Sequence, residues 1–150
     1  MYRFNYEAPT SIDGTLTALR QNSEAKIIAG GMTLLPTMKL RLASPDHLVD
    51  INNIQSLAGI TKNNGSIVIG AMTRHADVAS SDLVRDCIPC LANLAEAIGD
   101  RQVRNRGTIG GSVANNDPSA DYPAGLIGLG ATIVTCLLYT SDAADELSRV

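Results

Sequence analysis

The sequence predicts an α/β fold, and three observations support that prediction. Over the first fifty residues, short apolar segments of strand length alternate with segments whose apolar residues recur at helical spacing. An Asn64-Gly65 pair then separates two further strand-like segments and predicts a β-hairpin. Hydrophobic residues make up 45% and charged residues 18% of the 150 residues, which is typical of a soluble globular protein with one core or two small ones.

The first predicted unit, residues 1–55, has the order β-α-β-α-β. A short strand in YRFNYEAPTS leads to a helix whose apolar face carries Ile12, Leu16 and Leu19. A second strand at residues 26–29 runs into Gly30-Gly31, and a third is predicted at residues 47–51. The helix between them is indicated by apolar residues at helical spacing, namely Leu34, Leu35, Met38 and Leu42.

The second predicted unit, residues 56–135, begins with the hairpin. A short helix capped by Thr73 is predicted to follow, and a longer helix is predicted to end at Gly99. An apolar segment spans residues 124–129, and the last predicted strand spans residues 131–135. The longer helix is indicated by the apolar stripe of Leu91, Leu94, Ala95 and Ile98.

The last fifteen residues, CLLYTSDAADELSRV, continue none of these patterns. They resemble the peptide that results when a transposase-type sequencing adapter is translated at the end of a DNA read. We therefore predict that residues 136–150 are a non-native read-through tail, and we exclude them from the fold prediction.

Charge and hydropathy exclude several classes of function. The net charge of −3 argues against nucleic acid and against an anionic membrane surface as the main partner. No apolar run approaches 18 residues, so no membrane span is predicted. The N-terminal segment lacks the basic and apolar regions of a secretory signal, so a cytoplasmic protein is the expectation.

The three cysteines, Cys87, Cys90 and Cys136, are too few for a disulfide scaffold. Cys87 and Cys90 have C-x-x-C spacing, which is found in redox motifs and in zinc sites. A zinc site needs a second pair of ligands, and a redox motif follows a strand, whereas the segment before Cys87 has a helical pattern. We interpret both residues as structural or unreactive thiols, and no metal site is predicted.

Two Gly-Gly pairs, each preceded by a strand-like segment, are the strongest candidates for a binding site. The first glycine segment comprises Ala29, Gly30, Gly31, Met32 and Thr33, and the second comprises Thr108, Ile109, Gly110, Gly111 and Ser112. Each is predicted to present bare backbone N–H groups beside a hydroxyl, an arrangement that suits a phosphate. Two such segments could hold a pyrophosphate from both sides. The alternative for either one alone is a simple turn, and the G-x-G-x-x-G and G-x-x-x-x-G-K-[ST] patterns are absent.

Polar residues flank the second glycine segment on both sides. Asp117 and Asp121 follow it, and a carboxylate there can accept hydrogen bonds from ribose or ribityl hydroxyls. A helix-capping turn is the alternative for residues 117–121. Three arginines precede it, and they either balance a ligand's charge, face an acidic partner or form a solvated surface: Arg101, Arg104 and Arg106.

Two long motifs resemble the FAD-binding medium subunit of molybdenum hydroxylases, the group of carbon monoxide, aldehyde and xanthine dehydrogenases. The motifs are AGGMTLLPTMKLRLASPDHLVDIN and IGDRQVRNRGTIGGSVANNDPSADYPA, and IVIGAMTRHADV between them is also similar to the family. The resemblance covers residues 1–135 and implies the FAD-binding PCMH-type fold, like that of vanillyl-alcohol oxidase, in which two α/β subdomains hold FAD. It also implies that the chain stops about halfway through the family's subunit.

The resemblance assigns both glycine segments to FAD, with Asp121 and Gly99 as further contacts. FAD is expected to be noncovalent, because neither segment contains a His or Cys for attachment. No catalytic residue is predicted.

The implied function is electron transfer within an oxidoreductase of several subunits. Electrons would pass from [2Fe-2S] clusters on a small subunit, through FAD on this subunit, to an external acceptor. The molybdenum cofactor is expected on a large partner subunit. Two alternatives are a free-standing flavin oxidoreductase and a fragment that keeps the fold but no longer binds FAD.

Overall fold

The computed structural model describes residues 1–135, and its N-terminal part is built on a three-stranded parallel sheet. Two crossover helices connect the strands, as parallel pairing requires. The spatial order is β1-β3-β2, so β3 is central, and Leu48 of β3 pairs with Tyr6 on one side and with Lys26 on the other. The strands are β1 (Asn5–Glu7), β2 (Lys26–Ile28) and β3 (His47–Asp50).

The crossover helices are α1 (Ile12–Gln21) and α2 (Leu34–Lys39). The Ser11 hydroxyl caps α1 by accepting a hydrogen bond from the Gly14 N–H at 3.1 Å. The predicted β-α-β-α-β order of this region is confirmed. Its core cluster contains Ile28, Met38 and Leu48, with Phe4, Leu34, Leu35 and Ala43 packed around them.

A 3₁₀ helix over Gln55–Leu57 leads to the predicted hairpin, which is confirmed. Strands β4 (Ile60–Asn63) and β5 (Ser66–Ile69) pair in antiparallel fashion. Asn64 and Gly65 connect them with φ values of 47° and 83°. Two positive φ values in a two-residue turn match the right-handed twist of the strands, and Asn-Gly tolerates them best.

Within the described residues six helices follow the hairpin, and five of them contribute residues to a second core cluster; the exception is the Arg101–Arg106 helix. Tyr122 is fully buried in it, and so are Val78 and Val84. The hairpin contributes Ile60 and Ile69 to the same cluster. The helices are α3 (His75–Ser80), α4 (Asp82–Cys87), α5 (Pro89–Ala97), α6 (Arg101–Arg106), α7 (Ile109–Asn115) and α8 (Asp121–Gly128).

Three local predictions were wrong. Thr73 does not cap α3, because its hydroxyl is hydrogen-bonded to both the N–H and the carbonyl of Gly59 at 3.0 Å, and Arg74 precedes the helix instead. No strand leads into the second glycine segment, where Thr108 forms only an isolated bridge with Arg74. Residues 131–135 form no strand, because they are exposed and pair with no other segment within residues 1–135.

The C-x-x-C pair spans a helix junction, as the pattern before it indicated. Cys87 is the last residue of α4, and Cys90 lies in the first turn of α5. Both thiols are exposed and free. Within residues 1–135, no three metal-ligating side chains cluster to form a metal site.

The predicted tail, residues 136–150, lies outside the described residues. The division of the chain near residue 55 stays a prediction. In the described part of the chain, no helix is both long and apolar enough to cross a membrane.

Candidate functional site

The fold places the two glycine segments against each other. A Cβ added at Gly30 would overlap the backbone carbonyl of Arg106, just before the second segment. A Cβ added at Gly111 would lie 3.6 Å from the Ala29 Cβ. The end of β2 and the start of α7 are therefore in close contact, and Gly30 makes this approach possible because it has no side chain.

The first glycine segment presents a row of unused backbone donors. Gly31, with φ of 73°, turns the chain from β2 into α2, and its carbonyl accepts a hydrogen bond from Leu35. The backbone N–H groups of residues 31–34 donate to no group in the part of the chain that the structure describes. The Thr33 hydroxyl also makes no capping hydrogen bond. Consecutive unpaired N–H groups beside a hydroxyl are suited to an anionic oxygen.

A polar network anchors the start of this segment. The Asn52 side chain donates from Nδ2 to the Ala29 carbonyl at 2.8 Å and to Asp50 Oδ1 at 2.6 Å. The Tyr6 hydroxyl donates to Asp50 Oδ2 at 2.6 Å. Both oxygens of Asp50 are thus used, at the carboxyl edge of the parallel sheet, where α/β proteins usually bind their ligands.

The second glycine segment differs, because the backbone N–H groups of residues 109–112 are all used within the protein. Ile109 donates to the Thr73 carbonyl at 3.0 Å, and Gly110 donates to the Ala71 carbonyl at 2.9 Å. The Gly111 N–H donates to Thr108 Oγ1 at 3.1 Å, and the Ser112 N–H donates to the Thr108 carbonyl. The prediction that this segment presents bare N–H groups was therefore wrong, since the segment is the capped first turn of α7.

Packing accounts for two glycines around this turn. A Cβ at Gly110 would lie 2.5 Å from the Ala71 Cβ, and a Cβ at Gly107 would lie 2.5 Å from His75 Nε2. Both distances are too short for a carbon atom, so residues 71–75 can approach this backbone only where side chains are absent. Gly110 is therefore needed by the fold whether or not a ligand binds.

Charge is concentrated where the two segments meet. Burial alone would raise the pKa of Asp50, but hydrogen bonds from Tyr6 and Asn52, with the nearby Arg106 charge, outweigh it and lower this pKa below its usual value. The hydrogen bond to Asp50 raises the pKa of the Tyr6 hydroxyl, and burial and the carboxylate charge act in the same direction. Asp50 is therefore an anion at neutral pH.

His75 and Tyr122 form a buried pair behind the second segment. Their rings lie 5.2 Å apart, and both His75 Nδ1 and the Tyr122 hydroxyl lack a hydrogen-bond partner in the described part of the chain. Burial lowers the pKa of His75 and raises that of Tyr122, so both side chains are neutral near pH 7.

The remaining residues predicted to contact FAD differ in exposure and in the role that the structure gives them. Gly99 has φ of 49° at the end of α5, and its carbonyl accepts a hydrogen bond from Arg104, so a structural role accounts for it. Asp121 is exposed in the first turn of α8, which packs against α7, and Met32 is half-buried in the first segment.

Asp117 accepts two hydrogen bonds from Ser119, which form a turn over residues 117–119 and lower the pKa of Asp117, but no side chain caps α8, whose N-cap residue is Ala120. Sequence reasoning missed Tyr6, Asp50 and Asn52. The available signal was their position, since Asp50 and Asn52 stand at the carboxyl end of a predicted strand.

Two shallow depressions lie elsewhere, near Asp46. Their volumes are about 320 and 360 Å³, and neither is lined by a residue of the glycine segments. Leu34, the last residue of the row of unused donors, lines one of them, but neither reaches the contact between the two segments, so neither forms part of the candidate site.

Comparison with known proteins shows the family. Residues 2–138 match the family of the FAD binding domain in molybdopterin dehydrogenase. The carbon monoxide dehydrogenase medium chain of Hydrogenophaga pseudoflava is 51% identical over 81% of this chain and 43% of its own length. The glyceraldehyde dehydrogenase medium chain of Sulfolobus acidocaldarius is 40% identical over 87% of this chain and 47% of its own length.

Solved structures agree with the sequence comparison. Carbon monoxide dehydrogenase from Hydrogenophaga pseudoflava superposes with a TM-score of 0.80 at 52% identity, over 82% of this chain and 43% of that chain. Quinoline 2-oxidoreductase from Pseudomonas putida 86 superposes with a TM-score of 0.79 at 38% identity, over 81% of this chain and 43% of that chain.

The chain spans less than half the length of the relatives it matches. Its fold is nevertheless that of their FAD-binding part, and the predicted fold class is confirmed. The chain belongs to the family of FAD-binding domains of molybdopterin dehydrogenases.

Proposed function

We propose that this chain is the FAD-binding part of the flavoprotein subunit of a molybdenum hydroxylase, and that it binds FAD noncovalently. The observation that carries the proposal is the row of unpaired N–H groups at residues 31–34, beside the Thr33 hydroxyl and in contact with the second glycine segment. These donors fit a pyrophosphate, whose oxygens accept hydrogen bonds and carry negative charge.

The two segments contribute in different ways. The first would supply backbone donors to the phosphate oxygens. The second would supply the Ser112 hydroxyl and a surface at Gly111 without a side chain, because the N–H groups of residues 109–112 are already used. Asp121, exposed at the start of α8, would accept hydrogen bonds from ribityl or ribose hydroxyls.

Bound FAD would supply the redox chemistry that passes electrons from iron–sulfur clusters on a small partner subunit to an external acceptor. The residues of this chain would bind and orient the cofactor and tune its environment. The molybdenum cofactor would belong to a large partner subunit. Related proteins support such partners, since they are named as the medium chain of a dehydrogenase or as a subunit of a dehydrogenase complex.

The binding site is tested by titrating the purified chain with FAD and following flavin fluorescence, with circular dichroism to confirm folding. Gly31→Ala is the informative variant, because Gly31 has φ of 73° within the proposed site. We expect its FAD affinity to fall about tenfold, as expected when hydrogen bonds to a charged group are misaligned.

Gly65→Ala is the matched control. Gly65 has a similar φ of 83°, but it lies at the hairpin tip with no heavy atom within 4 Å of an added Cβ. Both variants carry similar backbone strain, and an added Cβ at Gly31 also lies 2.9 Å from Leu35 Cδ1, the end of a flexible side chain. Only Gly31→Ala alters backbone within the proposed site, so only that variant should change FAD affinity. Equal affinities for the two variants would contradict the placement, and a folded wild-type chain that ignores FAD would refute the proposal.

The electron-transfer role has a separate test. Purification from source cells should yield the chain together with iron, acid-labile sulfide and molybdenum in a complex. A metal-free flavoprotein that oxidises its own substrate would instead support the free-standing flavin oxidoreductase.

A further inference from the structure

The network around Asn52 extends the parallel sheet to the first glycine segment. The regular ladder between β2 and β3 ends where the Ile51 N–H donates to the Ile28 carbonyl at 3.1 Å. The next carbonyl, that of Ala29, accepts its hydrogen bond from the Asn52 side chain instead. Asn52 thus holds the first residue of the glycine segment at a point beyond the reach of the strand backbone.

The orientation of the Asn52 amide is fixed by its surroundings. Both groups that Nδ2 contacts, the Ala29 carbonyl and Asp50 Oδ1, are hydrogen-bond acceptors only. The Asn52 backbone N–H also donates to Asp50 Oδ1 at 2.8 Å. A side chain at this position must therefore donate two hydrogen bonds, which a carboxylate of the same shape cannot do.

Asp50 is itself held from two directions. The Tyr6 hydroxyl of β1 donates to its other oxygen, and the positive charge of Arg106, at the end of α6, acts on it from the side of the second segment. The Arg106 carbonyl packs against Gly30 in the same contact. The network therefore connects all three strands of the sheet to the first glycine segment and to the end of α6, just before the second segment.

We propose that Asn52 is a positioning residue, which sets the direction of the first glycine segment by tying the Ala29 carbonyl to the Asp50–Tyr6 pair. The proposal rests on the proposed function for its effect on FAD, but not for its effect on the segment itself. Without the tie, the N–H groups of residues 31–34 lose their common orientation and bind an anionic oxygen less tightly.

Asn52→Asp is the decisive variant, because it keeps the shape of the side chain and replaces two donors with a charge. Asn53→Asp is its matched control, since Asn53 is also exposed, adds the same charge and makes no hydrogen bond in the described part of the chain. At pH 7.5 we expect the FAD dissociation constant to rise about tenfold in Asn52→Asp. In Asn53→Asp it should stay within about twofold of the wild type.

The pH profile separates positioning from a general loss of structure. The introduced carboxyl stands beside the Asp50 carboxylate, and a neighbouring like charge favours its protonation in mild acid. Once protonated, it can donate one of the two hydrogen bonds. The affinity of Asn52→Asp relative to the wild type should therefore recover at pH 5.5, whereas Asn52→Ala should show no recovery.

A measurement without FAD keeps the proposal testable whatever the outcome of the titration. Backbone amide NMR of the FAD-free chain should show lower heteronuclear NOE values for residues 30–33 in Asn52→Asp and unchanged values in Asn53→Asp. Unchanged NOE values in both variants would overturn the proposal. Lowered values in a chain that never binds FAD would uphold the positioning role and refute the proposed function.

Discussion

The two glycine segments look alike in sequence but differ in what their backbones do. Each contains a Gly-Gly pair with a hydroxyl residue within two positions after it, but the first pair precedes α2 and the second lies in the first turn of α7. In the first, the N–H groups of residues 31–34 have no partner in the described part of the chain. In the second, the N–H groups of residues 109–112 are all hydrogen-bonded within the protein.

The difference shows that a glycine backbone without side chains does not necessarily have N–H groups free to bind a ligand. Buried backbone donors are nearly always paired, so each glycine motif has to be examined for where its hydrogen bonds go. At the second segment, residues 71–73 and the Thr108 cap provide the partners. At the first, the turn at Gly31 leaves them unpaired, which favours this segment as the anion site.

The largest expected effect concerns the contact that the two segments share. Gly30→Ala should lower the free energy of unfolding by about 3 kcal/mol, because the new Cβ overlaps the Arg106 backbone carbonyl, which cannot rotate away. Urea unfolding followed by circular dichroism measures this. Gly128→Ala is the control, since nothing lies within 4 Å of its added Cβ and its stability should be unchanged or higher. A Gly30→Ala variant as stable as Gly128→Ala would contradict the close contact between Gly30 and the Arg106 carbonyl.

Thr108→Val tests the second segment. The Thr108 hydroxyl caps α7 by accepting the Gly111 N–H, and its loss should lower the free energy of unfolding by about 1 kcal/mol. The same unfolding measurement applies. A variant as stable as the wild type would show that the cap contributes little.

Thr33→Val makes the same chemical change in the first segment, but it should lower the FAD affinity and leave stability nearly unchanged. Because the Thr33 hydroxyl makes no capping bond, stability should be nearly unchanged. The FAD affinity should fall about fivefold, roughly 1 kcal/mol, because one donor to the cofactor is lost. Fluorescence titration measures the change, and Thr61→Val on the exposed face of the hairpin is the control. If Thr33→Val lost stability but kept its FAD affinity, the Thr33 hydroxyl would have a structural role and the first segment would resemble the second.

The smallest expected effect is on the pH dependence of stability. Acid should lower the free energy of unfolding in two different pH ranges, one set by a residue behind the second segment and one set by a residue beside the first. The pKa of His75 behind the second segment lies below 6.5 in the folded chain, so the unfolded chain binds an extra proton below that pH and stability declines as the pH falls. The lowered pKa of Asp50 beside the first segment gives stability that is present above about pH 3.8 and is lost as the pH falls through the folded value.

Unfolding free energies at pH 7.5, 6.0 and 5.0 test this separation. His75→Phe should flatten the decline over this range, whereas Asp50→Asn should lower stability by a similar amount at all three pH values and leave the decline itself unchanged. The Asp50 carboxylate is ionised over this range in both the folded and the unfolded chain, so its contribution is fully present throughout. An undiminished decline in His75→Phe would mean that other groups cause it.

Local patterns predicted most of the fold. The Asn-Gly turn, the alternation of strands and helices before residue 51, and the long helix that ends near Gly99 all depend on residues close together in the chain. The failures came from distant partners. Thr73 looks like a cap, but Gly59 takes its hydroxyl, and residues 131–135 look like a strand but have no partner to pair with in the described part of the chain.

The candidate site, like the fold, was predicted only where neighbouring residues encode it. The glycine segments themselves were found from sequence, because glycine pairs after apolar residues are conspicuous and belong to a family motif. The Tyr6–Asp50–Asn52 network was missed, because Tyr6 and Asp50 are 44 residues apart and only the strand order β1-β3-β2 brings them together.

The sequence by itself therefore determined the elements, the family and the two backbone segments that are candidates for FAD, since each is encoded by residues within a few positions of one another. Only the tertiary structure decided which segment has donors to offer. That depends on residues 71–73, which satisfy two N–H groups of the second segment, and on the turn at Gly31, after which the N–H groups of the first segment meet no acceptor in the described part of the chain. Hydrogen-bond partners so far apart in the chain are fixed by packing, and no local pattern records them.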